Sequence, residues 1–236
     1  MAASTTRKRK GRSTSKSSNT DKTMWSSKKK KQIVSGIDEL AAANMFQEIA
    51  DDDDPSVSNL EGIFSLGEKL GIDATEDIRI LVLLWKMGCS KKPGQLTRDE
   101  WMLGCEALRV DSWTKLQALL PSLETGFLDH NTFKDFYKFC FQFNRQGTHR
   151  TLDKELVVDL LKMVFSDHRV SKERLSTFCK FLEKSEGYQR ITLDQWTSFL
   201  DFCVECPDQT LTGYDESTSA WPVMIDEYVE FVQGKM

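Results

Sequence analysis

Apolar residues recur along this chain at the three-to-four spacing that gathers them on one face of a helix. Leu40, Met45, Phe46 and Ile49 predict a helix within residues 36–50. Leu60, Ile63, Phe64, Leu66 and Leu70 predict a second, which Gly71 can end because glycine tolerates the left-handed turn that closes a helix. Asp73 with Glu76 three residues later is a start signal. It leads into residues 78–87, which are apolar nearly all round and so predict a centrally buried helix. Thr97 and Glu100 form a capping box ahead of Trp101, Leu103, Cys105 and Leu108. Trp113, Leu116, Leu119 and Leu120 give another helix, which Pro121 kinks or restarts.

The second half continues in the same grammar. Phe133, Phe136, Tyr137, Phe139, Cys140, Phe141 and Phe143 predict an aromatic-rich core helix. Residues 152–165 and 175–182 predict two more. Thr192 and Gln195 form a second capping box, opening a helix with Trp196, Phe199, Leu200 and Cys203. Pro222 suits a first helical turn, where its missing N–H is not needed. Ile225, Tyr228, Val229 and Val232 then face a core. No alternating run and no Asn-Gly hairpin signals a strand. The expectation is an all-α fold of about ten short helices in one compact domain. No repeat period stands out, although pairing of helices through helix–loop–helix units is expected.

Charge divides the chain. The first 31 residues hold eleven basic residues against one acid, leaving 21 basic and 35 acidic residues in the remainder. Residues 1–35 therefore read as a disordered basic tail, with almost nothing to bury, and residues 36–236 as the folded domain. Arg7, Lys8, Arg9 and Lys10, with Lys28, Lys29, Lys30 and Lys31, look like a nuclear-import signal. A nuclear protein, with a cytoplasmic share allowed, is the expectation. Such a tail also binds phosphate without sequence preference. That keeps a chromatin-associated protein as one alternative, but no folded reading module accompanies the tail and no specific nucleic-acid partner is expected.

Other chemistry is sparse. The N-terminus is charged and lacks the apolar stretch of a signal peptide. The longest apolar run, residues 80–85, is far too short to cross a bilayer, so no membrane partner is expected. Cys89, Cys105, Cys140, Cys179, Cys203 and Cys206 sit mostly inside apolar runs and read as reduced, buried thiols. The Cys203/Cys206 pair has neither a second pair nor a βαβ setting for redox or zinc work. His130, His149 and His168 lie in polar stretches between helices, near no nucleophile pattern. There is no phosphate loop and no zinc-protease motif. No catalytic residue, metal or cofactor is expected. Residues 51–56, four aspartates followed by Pro55 and Ser56, resemble the opening of a calcium loop, which makes an EF-hand-like calcium regulator the other alternative. The ligand pattern breaks at Pro55, at Ser56 where a Gly is needed, and at Gly62 where a bidentate Glu is needed.

The C-terminal stretch is different in kind. Residues 191–234 contain no Lys or Arg, yet carry Asp194, Asp201, Glu205, Asp208, Asp215, Glu216, Asp226, Glu227 and Glu230. An acidic surface of this kind suits a basic partner. The same stretch holds Tyr214-Asp215-Glu216, then Ala220-Trp221-Pro222, then Asp226-Glu227-Tyr228-Val229-Glu230. Upstream stand Leu84-Trp85-Lys86, Phe133-Lys134-Asp135-Phe136-Tyr137 and Leu193-Asp194-Gln195-Trp196. In this order and spacing they resemble the defective-in-cullin-neddylation family, over about residues 45–232.

The resemblance implies a potentiating-neddylation domain built in part from degenerate EF-hand-like helix–loop–helix units, in a short form that carries the basic tail. It implies a non-enzymatic scaffold in a ubiquitin-like protein pathway. That scaffold holds a cullin and the acetylated N-terminus of the neddylation conjugating enzyme, meets the RING subunit of the cullin ligase only indirectly, and so activates cullin-RING ligases. Carried over by motif, the cullin-binding residues are Asp194, Ala220 and Asp226, with Ser219 standing where the family usually has Gly. The conjugating-enzyme pocket falls on Leu60, Ile63, Ile80, Leu84, Met87, Leu96, Phe143 and Met163.

Overall fold

A computed structural model describes residues 36–167, 169–211, 214–215 and 220–235. The basic tail and its import clusters lie outside the described residues, as do His168 and Ser219. The described chain is helical, with ten α-helices and four very short strands.

In the first half, α1 (Glu39–Gln47), α2 (Leu60–Leu70), α3 (Arg79–Lys86) and α4 (Arg98–Leu108) follow the predicted stripes. Asp38 caps α1, and Asn59 caps α2 by accepting from Glu61 and Gly62 N–H. Gly71 ends α2 with φ 74°, the left-handed conformation expected of it. The Thr97–Glu100 capping box closes as read. Two details differ. Asp73 binds back to Thr75, and it is Asp77 that accepts from Arg79 N–H at the head of α3. Leu40 and Leu103 project into solvent, so their stripes are narrower than the sequence suggested. After α5 (Trp113–Leu119) the chain tightens into a 3-10 turn, Leu120–Leu123, where Pro121 takes an early position.

The second half contains α6 (His130–Phe143), α7 (Lys154–Val164), α8 (Lys172–Lys184) and α9 (Leu193–Glu205). His130 is the first residue of α6, inside a helix and not between helices. The last helix is α10 (Val223–Val232); Pro222 stands just ahead of it as the cap, one residue earlier than predicted.

The strands are what periodicity could not show. β1 (Val57–Ser58) pairs antiparallel with β2 (Leu96–Thr97), and β3 (Thr151–Asp153) with β4 (Arg190–Thr192). Each strand lies in the loop of a helix–loop–helix unit, so each mini-sheet ties two units into a pair. Elements two or three residues long carry no alternation to read.

The two pairs repeat. Thr97 and Thr192 open equivalent capping boxes, and Trp101 and Trp196 follow them, each 95 residues apart. Trp101 Nε1 donates to the Ala42 carbonyl at 2.8 Å, and Trp196 Nε1 to the Tyr137 carbonyl at 2.9 Å. Ala42 and Tyr137 are themselves 95 apart, as are Phe46 and Phe141. Each buried indole therefore fastens the last helix of its pair to the first, satisfying a donor that would be costly to bury alone. Tyr137 stacks on Trp196 at 4.3 Å and donates back to the Trp196 carbonyl at 3.0 Å.

Candidate functional site

The acidic window folds into α9, α10 and the segment between them. α10 packs on α8 and α9. The buried Phe202 ring is the hub: Tyr214, Trp221 and Tyr228 all meet it edge-on, with centroids 5.8 to 6.0 Å away. Such edge contacts contribute about 0.5–1.5 kcal/mol each beyond simple burial. Around this hub Ala220 is exposed, Trp221 half-buried and Val223 exposed.

Asp226, in the first turn of α10, accepts a hydrogen bond from Tyr214 Oη. Its neighbour Glu227 accepts from Tyr188 Oη at 2.6 Å. Burial and that carboxylate hold the Tyr188 phenol well above its ordinary value. Asp194 is exposed in the first turn of α9, where the helix N-terminus favours negative charge. Asp201 is drawn into an ion pair with Lys134 of α6 at 2.7 Å. The structure thus puts Asp194 and Asp226 in the first turns of two helices that pack together, with Ala220 just ahead of the second.

A second feature is an apolar cavity of about 390 Å³ where α2 and α3 of the first half meet α6 and α7 of the second. Leu60, Ile63, Ile80, Phe143 and Met163 line it. Leu84, Met87 and Leu96 do not: they lie in the core, away from the wall. Phe64, Ala74, Thr75, Leu81, Leu156 and Leu160 also stand on the wall, with a polar lip of Asn144, Arg145, Gln146 and Asp159, none of them expected there from the motifs. Leu60 and Phe64, one turn apart on α2, are large apolar residues left exposed beside the opening. Partial exposure of that kind cannot be told from core burial in a bare apolar stripe.

The aspartate loop closes on itself. Asp51 Oδ1 accepts from Asp53 and Asp54 N–H at 2.9 Å each, and its other oxygen accepts from the Asn59 amide. At Gly62, where a calcium loop would bring its bidentate Glu, a Cβ would sit 2.1 Å from the Ile49 carbonyl oxygen and 2.2 Å from Ser58 Oγ. Backbone fills the place a chelating side chain would need. Among the described residues, no three His, Cys, Asp or Glu side chains gather around a common metal position.

The cysteines are all free; four are buried, and Cys203 and Cys206 are partly so. Burial pushes the Cys203 and Cys105 thiols up to about 12 and Cys179 to about 11. Thiols held protonated in this way are poor nucleophiles at neutral pH.

Three support residues escaped the sequence reading: Arg174, Phe202 and Tyr214 in its bond to Asp226. Nothing local marks Phe202 among the other rings or Arg174 among the other charges, and only the fold joins them.

A family model described as Cullin binding matches residues 115–231, from within α5 to the last turn of α10. The chain is 30% identical to DCN1-like protein 4 of Drosophila melanogaster, over 89% of this chain and 82% of that one. It is 31% identical to DCN1-like protein 5 of Homo sapiens, over 85% of this chain and 81% of that one. Human DCN1-like protein 4 is 33% identical over 80% of this chain and 62% of its own length.

Proposed function

This chain belongs to the DCN1-like family, and we propose on that footing that it is a scaffold for cullin neddylation. Its role lies in that pathway. In this reading it binds a cullin through Asp194, Ala220 and Asp226, and receives the acetylated N-terminus of the neddylation conjugating enzyme in the cavity between α2, α3, α6 and α7. Transfer of the ubiquitin-like modifier to the cullin is promoted by proximity, because holding donor and acceptor together removes the entropy of their search. The scaffold contributes no nucleophile of its own, and its contact with the RING subunit runs through the cullin. The outcome is activation of cullin-RING ligases.

The observation that carries this reading is the base-free acidic segment organised around Phe202. It presents two aspartates in the first turns of packed helices, and it lies within the stretch matched by the cullin-binding model. Basic side chains of a cullin are the complementary chemistry, with Ala220 small enough to let a partner approach closely. The apolar cavity supports the second half of the reading. It is concave, apolar on its walls and polar at its lip, as sites for an apolar terminal side chain are.

The test is reconstituted neddylation of a cullin at limiting conjugating enzyme. The protein should accelerate modification, and Asp226→Arg should abolish the acceleration with helicity intact. Unchanged acceleration in that variant refutes the patch; no acceleration with any cullin refutes the function. The import clusters are proposed to direct the protein to the nucleus. Replacing Lys28, Lys29, Lys30 and Lys31 with Ala in a fluorescent fusion should then redistribute it to the cytoplasm.

A further inference from the structure

Arg174 stands in the first turn of α8 and is only 3% exposed. Among the described residues no carboxylate pairs with it. Instead its Nη2 donates to two main-chain carbonyls, Cys206 at 2.9 Å and Asp208 at 2.6 Å. Cys206 is the C-terminal cap of α9, so the cation sits at the negative end of that helix. The guanidinium also lies over the Phe202 ring, 5.2 Å from its centroid. Nη1 finds no acceptor among the described residues.

Burying an unpaired cation is costly, and a Leu or Met would fill the same volume more cheaply. What a guanidinium does that they cannot is donate, here with both N–H bonds of Nη2 fixed in one plane, to carbonyls two residues apart. The neighbouring contacts bind the same short segment. Ser171 Oγ, the cap of α8, accepts from the Gln209 side chain, and Gln233, the C-terminal cap of α10, donates to the Leu211 carbonyl at 3.4 Å. Leu211 is held at φ 54°, a left-handed conformation that a branched residue adopts only when its surroundings impose it. Residues 206–211 are therefore tied to α8 and α10 immediately before the chain runs on towards Tyr214, Ala220 and Trp221.

We propose that Arg174 is a positioning residue for the partner surface: by gripping the chain as it leaves α9 and backing Phe202, it fixes the arrangement of Ala220, Trp221 and Asp226. The proposal rests on the cullin-binding reading above and assigns that surface a buried determinant that touches no partner.

The experiment uses full-length protein and measures two affinities for each variant: for a cullin, and for a peptide carrying the acetylated N-terminus of the conjugating enzyme. Arg174→Met should weaken cullin binding tenfold or more while leaving peptide affinity unchanged, because the cavity is built from other helices. Arg174→Lys should recover part of the loss, since an ammonium keeps the charge at the end of α9 but not the planar pair of N–H bonds. Equal loss of both affinities would mean a general effect on the fold and would overturn the proposal. So would Arg174→Met that binds cullin within twofold of wild type. Should Arg174→Met fail to fold, Gln209→Leu removes only the surface tie; a two- to fivefold loss of cullin affinity alone supports the proposal, and no loss overturns it. Wild-type protein that binds no cullin would instead be the failure of the underlying reading.

Discussion

Filling the cavity separates its function from its packing. Met163 of α7 is half-buried and lines the same wall as Ile63, Ile80 and Phe143. The space it faces is about 390 Å³, enough to take an indole without forcing neighbours aside. Met163→Trp should therefore keep the fold, with a melting temperature within a few degrees of wild type. An apolar side chain of methionine size gains about 1.5–3 kcal/mol on full burial. Excluding it from the cavity should weaken binding of the conjugating enzyme's acetylated N-terminal peptide by about 10- to 150-fold, at about 1.4 kcal/mol per tenfold. Isothermal titration of that peptide measures the loss directly, and cullin affinity should stay constant. Peptide affinity within threefold of wild type would place the N-terminus elsewhere on the protein. Parallel loss of cullin binding would show a global disturbance and refute the separation of the two surfaces.

Other perturbations test the frame that holds these surfaces. Glu100 is buried; Oε1 accepts from Ser90 and Lys91 N–H at 2.8 and 2.9 Å, and Oε2 from Thr97 N–H and Oγ–H at 3.0 and 2.7 Å. Burial alone would raise its pKa, but these donors outweigh it and hold the carboxyl below its ordinary 4.5. The stabilisation is complete above about pH 4.5 and drains away below it. Glu100→Gln, which turns an amide N–H towards N–H donors, should cost about 1–3 kcal/mol at neutral pH and flatten the acid limb of denaturant-measured stability. Gly62→Ala should cost about 1–3 kcal/mol by the same measurement, because its Cβ meets backbone; a neutral result would mean that α1 and α2 are not so closely apposed. Trp101→Phe and Trp196→Phe each remove the indole bond to a mid-helix carbonyl, at Ala42 and Tyr137, and leave space where the larger ring packed. Calorimetry should find about 1–3 kcal/mol for each, and a large cost at only one would deny that the two indoles are equivalent.

What was legible in the sequence was local. A capping box needs only residues three apart, so Thr97–Glu100 and Thr192–Gln195 were found; Gly71 needed only its own freedom at positive φ. The aspartates of the acidic surface were legible because charge stands out where no base interrupts it. What failed was anything needing distant partners. The β1–β2 and β3–β4 pairs join short strands across whole helix pairs. The depth of Leu84, Met87 and Leu96 looked no different from that of Leu60 or Phe64, since an apolar stripe reports a face and not how far it is covered. The duplication left a faint trace in the Thr-x-x-x-Trp of both capping boxes and in Phe46-Gln47 against Phe141-Gln142. Too few positions agree for a period to emerge without the fold.

The duplication also bears on why the proposed partner surface falls on α10. α3 and α8 are counterparts, and α4 and α9 likewise. α6 packs on α3 of the first half, and α10 packs on α8 of the second. At the 95-residue offset α10 falls on the opening turns of α6, so it covers the second half as α6 covers the first. The two helices then part ways. α6 is also the first helix of the second half, and its other contacts run to α9; Phe133, Phe136 and Tyr137 are buried among the rings of both halves. α10 makes its main contacts within the second half, on α8 and α9. Its inner face, Met224, Ile225, Tyr228 and Val229, is spent on the core. Its other side carries Asp226, Glu227 and Glu230. A covering helix with one apolar face meets the packing requirement with half its residues, leaving the rest open to selection for a partner. A covering helix of this kind leaves its outer side free for recognition chemistry, and here Ala220-Trp221-Pro222 stands at its head.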